Sequence, residues 1–317
     1  MSPETLFLVN PVAGGRAGAS LKKELDLLVA GREPRGSCET AFTAADGGLA
    51  GGRSIADYRT VIVAGGDGTV ARIVQELSRM TEKPRLGIIP CGTGNDLARA
   101  AGVLGYYRKK GLPALINALL STGTRPLDIF SINEKLYFTN YCGIGLDAKI
   151  SNDFNQERNS PVVRAAAFFG CGRAAYPWFA LRNFWYRMPF PLELTCGTPD
   201  GKRRTMRVEA GARQVLITSI SSYGGGAHPA AGCSPDDGMF EVTAIATLWQ
   251  WFMLHMTRFF PVKLTRILPD IVQCSAAELR ACFSGSTCFQ ADGELYEDFS
   301  GAGLSVRRAA QLEFICL

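Results

Sequence analysis

Val61-Ile62-Val63-Ala64-Gly65-Gly66-Asp67-Gly68-Thr69 is a β-branched apolar run that ends abruptly in a glycine loop. Val70, Ile73, Val74 and Leu77 follow at i, i+3, i+4 and i+7, the spacing of one buried helix face. The stretch therefore reads as strand, glycine loop and helix N-terminus. Free N–H groups and a partial positive charge at a helix N-terminus attract anions. Glycines let backbone approach a phosphate with no Cβ in the way. Asp67 is out of place in a simple anion site, because a carboxylate repels phosphate. A divalent cation between them removes the conflict, so the loop suggests nucleotide phosphates with Mg²⁺. A tight strand-to-helix turn with no ligand would read the same in this motif alone.

Working outward, the same pattern recurs. Leu6-Phe7-Leu8-Val9 reads as a strand running into Asn10-Pro11-Val12-Ala13-Gly14-Gly15, and residues 20–30 read as an amphipathic helix. Gly47 to Gly52 reads as a loop. Leu86-Gly87-Ile88-Ile89-Pro90 is a third strand, followed by Cys91-Gly92-Thr93-Gly94-Asn95-Asp96 and a helix starting near Leu97. Strands alternating with helices imply a parallel sheet, with three glycine-bearing loops at strand C-termini, where such sheets bind ligands.

Beyond residue 126 the texture becomes mostly β. Residues 128–132 and 136–140 flank Asn133-Glu134-Lys135 as a hairpin. Further strands are expected at 192–196, 214–219, 240–246 and 286–291. Two aromatic-rich segments interrupt them, 162–188 and 248–260. They read either as helices packed on the β region or as an acyl-chain groove or membrane-surface face, since aromatics with arginines suit an anionic interface. The expected organisation is an α/β nucleotide-binding domain over 1–126, a β-rich domain over 127–305, and a segment 306–317 returning to the first.

The composition narrows the chemistry. A hydrophobic content of 47% over 317 residues supports real cores. The net charge of +5 fits acidic substrates or anionic lipid surfaces. No basic block resembles a nucleic-acid footprint, so no nucleic-acid partner is expected. With two histidines and no Cys-x-x-Cys, neither a zinc site nor a Ser-His-Asp enzyme is expected. The ten cysteines read as reduced thiols. No signal peptide and no membrane-spanning window is expected, which suggests a cytoplasmic protein attached peripherally to membranes.

Asp67, Asp96 and Asp128 all fall at expected strand ends, a pattern that suits Mg²⁺ with phosphate oxygens and water. No Walker A sequence and no protein-kinase signature occurs, so a different phosphotransferase fold is required. Gly65-Gly66-Asp67-Gly68-Thr69 together with Pro90-Cys91-Gly92-Thr93-Gly94-Asn95-Asp96-Leu97-Ala98-Arg99 resembles the diacylglycerol kinase catalytic-domain family. That family includes bacterial soluble diacylglycerol kinases and YegS-type lipid kinases, and is related to sphingosine, ceramide and NAD kinases. Asn10-Pro11, Asp128, residues 140–148, Ser234-Pro235-Asp236-Asp237-Gly238-Met239 and Asp292-Gly293-Glu294 extend the resemblance along the chain.

The resemblance implies an NAD-kinase-like α/β domain, a sandwich-like β domain, and ATP-dependent phosphorylation of a lipid hydroxyl, diacylglycerol first. A sphingoid base or ceramide is the main alternative acceptor; NAD kinase or a non-catalytic lipid binder is weaker. It implies that Asn10, Gly65, Gly66, Gly68, Thr69, Gly92, Thr93 and Asn95 bind ATP, and that Asp67, Asp96 and Asp128 hold Mg²⁺ largely through water. Glu294, with Asp292 beside it, would be the general base. Asp237, with the carbonyls of Ser234 and Met239, would hold a structural Mg²⁺, although Asp236 is an equally good carboxylate. The partners implied are a lipid substrate at a membrane surface and a second copy in a homodimer.

Overall fold

The computed structural model describes residues 4–30, 37–44, 49, 54–157, 160, 178–230, 232–260, 262, 264–285, 287, 289–296 and 303–317. The chain divides into two compact units, Met1–Ile129 with Ala310–Leu317, and Phe130–Ala309.

The first unit is built on four parallel strands. β1 (Thr5–Val9), β2 (Cys38–Phe42), β3 (Thr60–Gly65) and β4 (Arg85–Pro90) lie in the order β2-β1-β3-β4. β1 is buried throughout, and so is β3 beyond Thr60. Such strands read as continuous apolar runs because helices cover parallel sheets on both faces. The helices are α1 (Ala13–Arg16), α2 (Gly18–Ala30), α3 (Asp67–Ser78), α4 (Asp96–Ala100) and α5 (Val103–Ser121), whose backbone breaks at Gly111. In α3 the residues Val70, Ile73, Val74 and Leu77 are all at most 2% exposed, and each such side chain stabilises by about 1.5–3 kcal/mol. The helix at 20–30 begins two residues earlier than expected, and the one at 69–80 spans 67–78. The loop expected at 47–52, Leu49 apart, and the aromatic residues at 161–177 lie outside the described residues.

The second unit is antiparallel, as the turn-rich sequence implied. β5 (Thr124–Ile132) enters it and pairs with β6 (Leu136–Phe138) across the three residues Asn133-Glu134-Lys135, of which Asn133 and Glu134 are at positive φ. β7 (Tyr141–Gly145), β10 (Gln214–Thr218), β11 (Phe240–Ile245), β12 (Val272–Ala276), β14 (Phe289–Ala291) and β15 (Glu294–Tyr296) form a sheet ordered β12-β11-β10-β7-β14-β15. β8 (Leu192–Gly197), β9 (Arg203–Val208), β13 (Glu278–Phe283) and the start of β16 (Leu304–Ile315) form another layer, in which β8 lies between β9 and β13. One core takes side chains from both layers, including Ile144, Val215, Val242, Leu194, Leu279 and Val306, so this unit is a β-sandwich. α6 (Leu146–Gln156), α7 (Leu248–Met256) and α8 (Leu264–Ile267) are among its helices. β16 ends in the first unit, where Phe314 pairs in parallel with Leu86 of β4. No helix among the described residues is long and apolar enough to cross a membrane.

Candidate active site

Three loops at the C-terminal ends of β1, β3 and β4 meet in the first unit. Asn10 follows β1 and joins it to the next strand: its N–H donates to the Ala64 carbonyl at 3.0 Å, and its Nδ2 donates to Thr69 Oγ1 at 2.7 Å. Its Oδ1 accepts the Val12 N–H at 3.0 Å. Asn10 thus braces its own loop and the first turn of α3. The second and third loops touch through backbone. A Cβ on Gly66 would sit 2.9 Å from the Gly92 Cα, and one on Gly92 would sit 2.4 Å from the Gly66 Cα. No side chain fits at either position without moving a main chain. The Cys91 N–H also donates to the Gly65 carbonyl at 2.9 Å.

Asn95 shapes the third loop. It stands at φ 53, ψ 45, a left-handed conformation in which asparagine is the usual non-glycine residue. Its Oδ1 accepts the Gly92 N–H at 2.9 Å and its Nδ2 donates to the Gly92 carbonyl at 2.7 Å. The expected phosphate contact of Asn95 therefore falls on a side chain engaged with its own loop.

Asp67 and Asp96 open α3 and α4. The Asp96 N–H donates to Asp67 Oδ1 at 2.9 Å. A Cβ on Gly94 would lie 2.7 Å from Asp67 Oδ2 and 3.4 Å from Asp96 Oδ2, so both carboxylates face this glycine. The Gly-x-Gly spacing of 92–94 carries that signal, yet Gly94 was not among the residues expected to act. Asp96 is 1% exposed and Asp67 is partly buried, and a divalent cation between two neighbouring carboxylates offsets their mutual repulsion. This donor set fits a hard cation such as Mg²⁺. Asp128, also 1% exposed, lies on β5 and accepts from Gln311 Nε2 at 3.1 Å. Among the described residues no group of three or more His, Cys, Asp or Glu side chains is close enough to hold a metal directly. Thr93 sits in the third loop, Thr69 is buried one residue past Gly68, and Gly65 packs against Thr69.

In the second unit, the turn Asp292-Gly293-Glu294 is held from two sides. Asp292 is 2% exposed and its carboxylate accepts the N–H groups of Thr139 at 2.9 Å, Asn140 at 2.9 Å and Tyr141 at 3.0 Å. Thr139 Oγ1 adds a contact at 3.3 Å. Burial lifts the Asp292 carboxyl to about 6 against the pull of these donors. Gln290 holds the other side: its Oε1 accepts the Gly293 N–H at 2.8 Å and its Nε2 donates to buried Asp147. Glu294 begins β15 opposite Ala291 and is half-buried. Asp292 therefore braces the turn, and Glu294 is the carboxylate with solvent access.

Asp237 is exposed, and its Oδ1 accepts the Met239 N–H at 2.9 Å across Gly238. Ser234 Oγ donates to Asp236. The two carboxylates of this loop are thus engaged within it.

A profile of the diacylglycerol kinase catalytic domain matches residues 4–132, and one of the diacylglycerol kinase accessory domain matches residues 137–295. The chain belongs to the diacylglycerol kinase family. It is 30% identical over 189 residues to the diacylglycerol kinase of Bacillus subtilis, covering 60% of this chain and 55% of that protein. The eye-specific diacylglycerol kinase of Drosophila melanogaster is 28% identical over 289 residues, covering 78% of this chain and 19% of its own length. A probable YegS-like lipid kinase of Pseudomonas aeruginosa is 29% identical over 199 residues, 61% of this chain and 56% of that one. The chain thus spans little more than half of such bacterial relatives and far less of the fly one. A crystal structure of a Bacillus anthracis diacylglycerol kinase superposes with a TM-score of 0.69 at 19% identity, covering 99% of this chain and 97% of that one, which establishes the shared fold.

Proposed function

We propose that this protein is an ATP-dependent lipid kinase that transfers the γ-phosphoryl group to a lipid hydroxyl, with diacylglycerol as acceptor and phosphatidic acid as product. The observation that carries the reading is the backbone contact of Gly66 with Gly92 beside the paired carboxylates of Asp67 and Asp96. Phosphoryl transfer depends mainly on positioning and charge neutralisation. The N–H groups at the start of α3, with Asn10, Gly65, Gly68, Thr69, Gly92 and Thr93, would cradle the ATP phosphates. Asp67 and Asp96, with Asp128 through water, would hold Mg²⁺, which supplies charge neutralisation on the phosphate oxygens. Glu294 would take the proton of the acceptor hydroxyl as its oxygen bonds to the γ-phosphorus and ADP leaves. Asp292 would fix the turn that carries Glu294. A structural Mg²⁺ at Asp237 would have to compete with the Met239 N–H.

A lipid acceptor implies work at a membrane surface. Trp249 and Phe252 of α7 are 62% and 48% exposed, and Phe259 and Phe260 are 67% and 58% exposed. Exposed Arg258 and Arg266 lie near them in sequence, and aromatics with cations suit an anionic interface.

The test is transfer of label from ATP, with Mg²⁺, to diacylglycerol, ceramide, sphingosine or NAD, the lipids in mixed micelles. Labelled phosphatidic acid that disappears in Asp67→Asn and Glu294→Gln supports the reading. Preferred labelling of ceramide, sphingosine or NAD replaces the acceptor, and transfer to none of them overturns the kinase.

A further inference from the structure

Cys196 and Cys274 belong to different layers of the β-sandwich, yet their sulfurs lie 2.9 Å apart. Cys196 is on β8, opposite Leu279 of β13 on one side and Arg204 of β9 on the other. Cys274 is on β12, opposite Val242 of β11. Immediately after β12 ends, the Ala277 N–H donates to the Gly197 carbonyl at 2.8 Å, where the chain passes from one layer to the other. The backbone around both thiols is therefore fixed. The sulfur separation is about 0.9 Å longer than a disulfide bond.

The two thiols are chemically unequal. Cys196 is 2% exposed, whereas Cys274 is half-buried. The hydrogen bond with Cys196 and the nearby Arg204 guanidinium hold the Cys274 thiol below its ordinary range. Cys196 is pushed up by the same hydrogen bond and by burial. Both line an open pocket of about 490 Å³ whose other walls include Lys202, Arg203 and Arg204, so a small oxidant has a route to the sulfurs. Nothing in phosphoryl transfer uses this pair. Burial instead pushes the Cys91 thiol up to about 11 and the Cys233 thiol up to about 12.

We propose that Cys196 and Cys274 form a redox-active dithiol that a hydroperoxide converts to a disulfide joining the two layers of the sandwich. Cys274 attacks the terminal peroxide oxygen as its thiolate. The O–O bond breaks, an alcohol or water leaves with the thiol proton, and Cys274 becomes a sulfenic acid. Cys196 sulfur then attacks the Cys274 sulfur, and the hydroxyl leaves as water with the Cys196 proton. Two electrons pass from the thiols to the peroxide. The product closes a 78-residue separation in sequence that contains α7 and the Asp237 loop.

The experiment treats the full chain with hydrogen peroxide, alkylates the remaining thiols and maps peptides without reduction. The expected result is a linked peptide pair carrying Cys196 and Cys274, with a melting temperature raised by roughly 5 °C and restored by dithiothreitol. In Cys196→Ser, the Cys274 sulfenic acid should persist and be trapped by dimedone, with no rise in melting temperature. Alkylation of both cysteines after peroxide treatment, or linkage of either one to exposed Cys282, overturns the proposal. The mapping is done on the unaltered chain, so a variant that folds poorly does not blur the outcome. Kinase activity is not the readout, so this result is independent of the proposed function.

Discussion

Replacing Asp292 by asparagine separates two opposing influences on a buried carboxyl. Burial lifts Asp292 from an ordinary 3.8 to about 6, while the N–H groups of Thr139, Tyr141 and Asn140 pull it down. Between these values the unfolded chain has released its proton and the folded chain still holds it. The folded state then binds more protons, so stability falls as pH rises. The contribution is complete below about pH 4, is lost through pH 6, and amounts to about 3 kcal/mol. The asparagine amide does not titrate in this range. The stability difference, parent minus Asp292→Asn, should therefore shrink by about 2 kcal/mol between about pH 4.5 and about pH 7.5. Other titrating groups cancel in the difference. Among them is His255, which burial and Arg258 hold down to about 3. Urea unfolding of the full chain, followed by circular dichroism at several pH values, measures it. A difference that stays flat or grows with pH refutes the reasoning. It would mean that the three N–H donors outweigh burial and keep the group ionised.

Four further outcomes are expected. Asp292→Ala leaves three N–H groups without their acceptor and should lower stability by about 3–6 kcal/mol at neutral pH, read by urea unfolding. Gly94→Ala brings a methyl to 2.7 Å from Asp67 Oδ2; phosphoryl transfer should fall about 100-fold with little change in melting temperature. Gly92→Ala forces two main chains apart at 2.4 Å and should cost about 2–3 kcal/mol, seen as a lower urea midpoint. Trp249→Ser with Phe252→Ser should weaken sedimentation with anionic vesicles about 10-fold or more while leaving the fold intact by circular dichroism.

The parallel strands of the first unit were legible because burial on both faces leaves continuous apolar runs, as in Leu6 to Val9 and Val61 to Val63. β2 was not, because Cys38–Phe42 buries only Ala41 fully and carries Glu39 and Thr40 between. α6 was hidden by buried polar residues, Asp147, Ser151 and Asp153, which break the apolar period. β16 was missed because Arg307-Arg308 interrupt its alternation. At the site, the pairing of Asp67 with Asp96 follows from two local motifs. The grip of Asp292 on residues 139–141 does not, because it joins positions more than 150 apart in sequence. The engagement of Asn95 with Gly92 depends on a left-handed backbone that no composition signals.

β16 also orders events in time. The second unit has all its described strand residues once residue 309 is made, but β4, already paired with β3, lacks its other neighbour until Phe314 follows. The Leu317 N–H then donates to the Ala101 carbonyl at 3.0 Å. In chain order the first unit is therefore begun before the second and completed after it. The loops around Asp67 and Asp96 wait in an incomplete sheet while the sandwich can already be closed. A chain truncated before Ala310 should protect the second unit from proteolysis and leave one edge of β4 open.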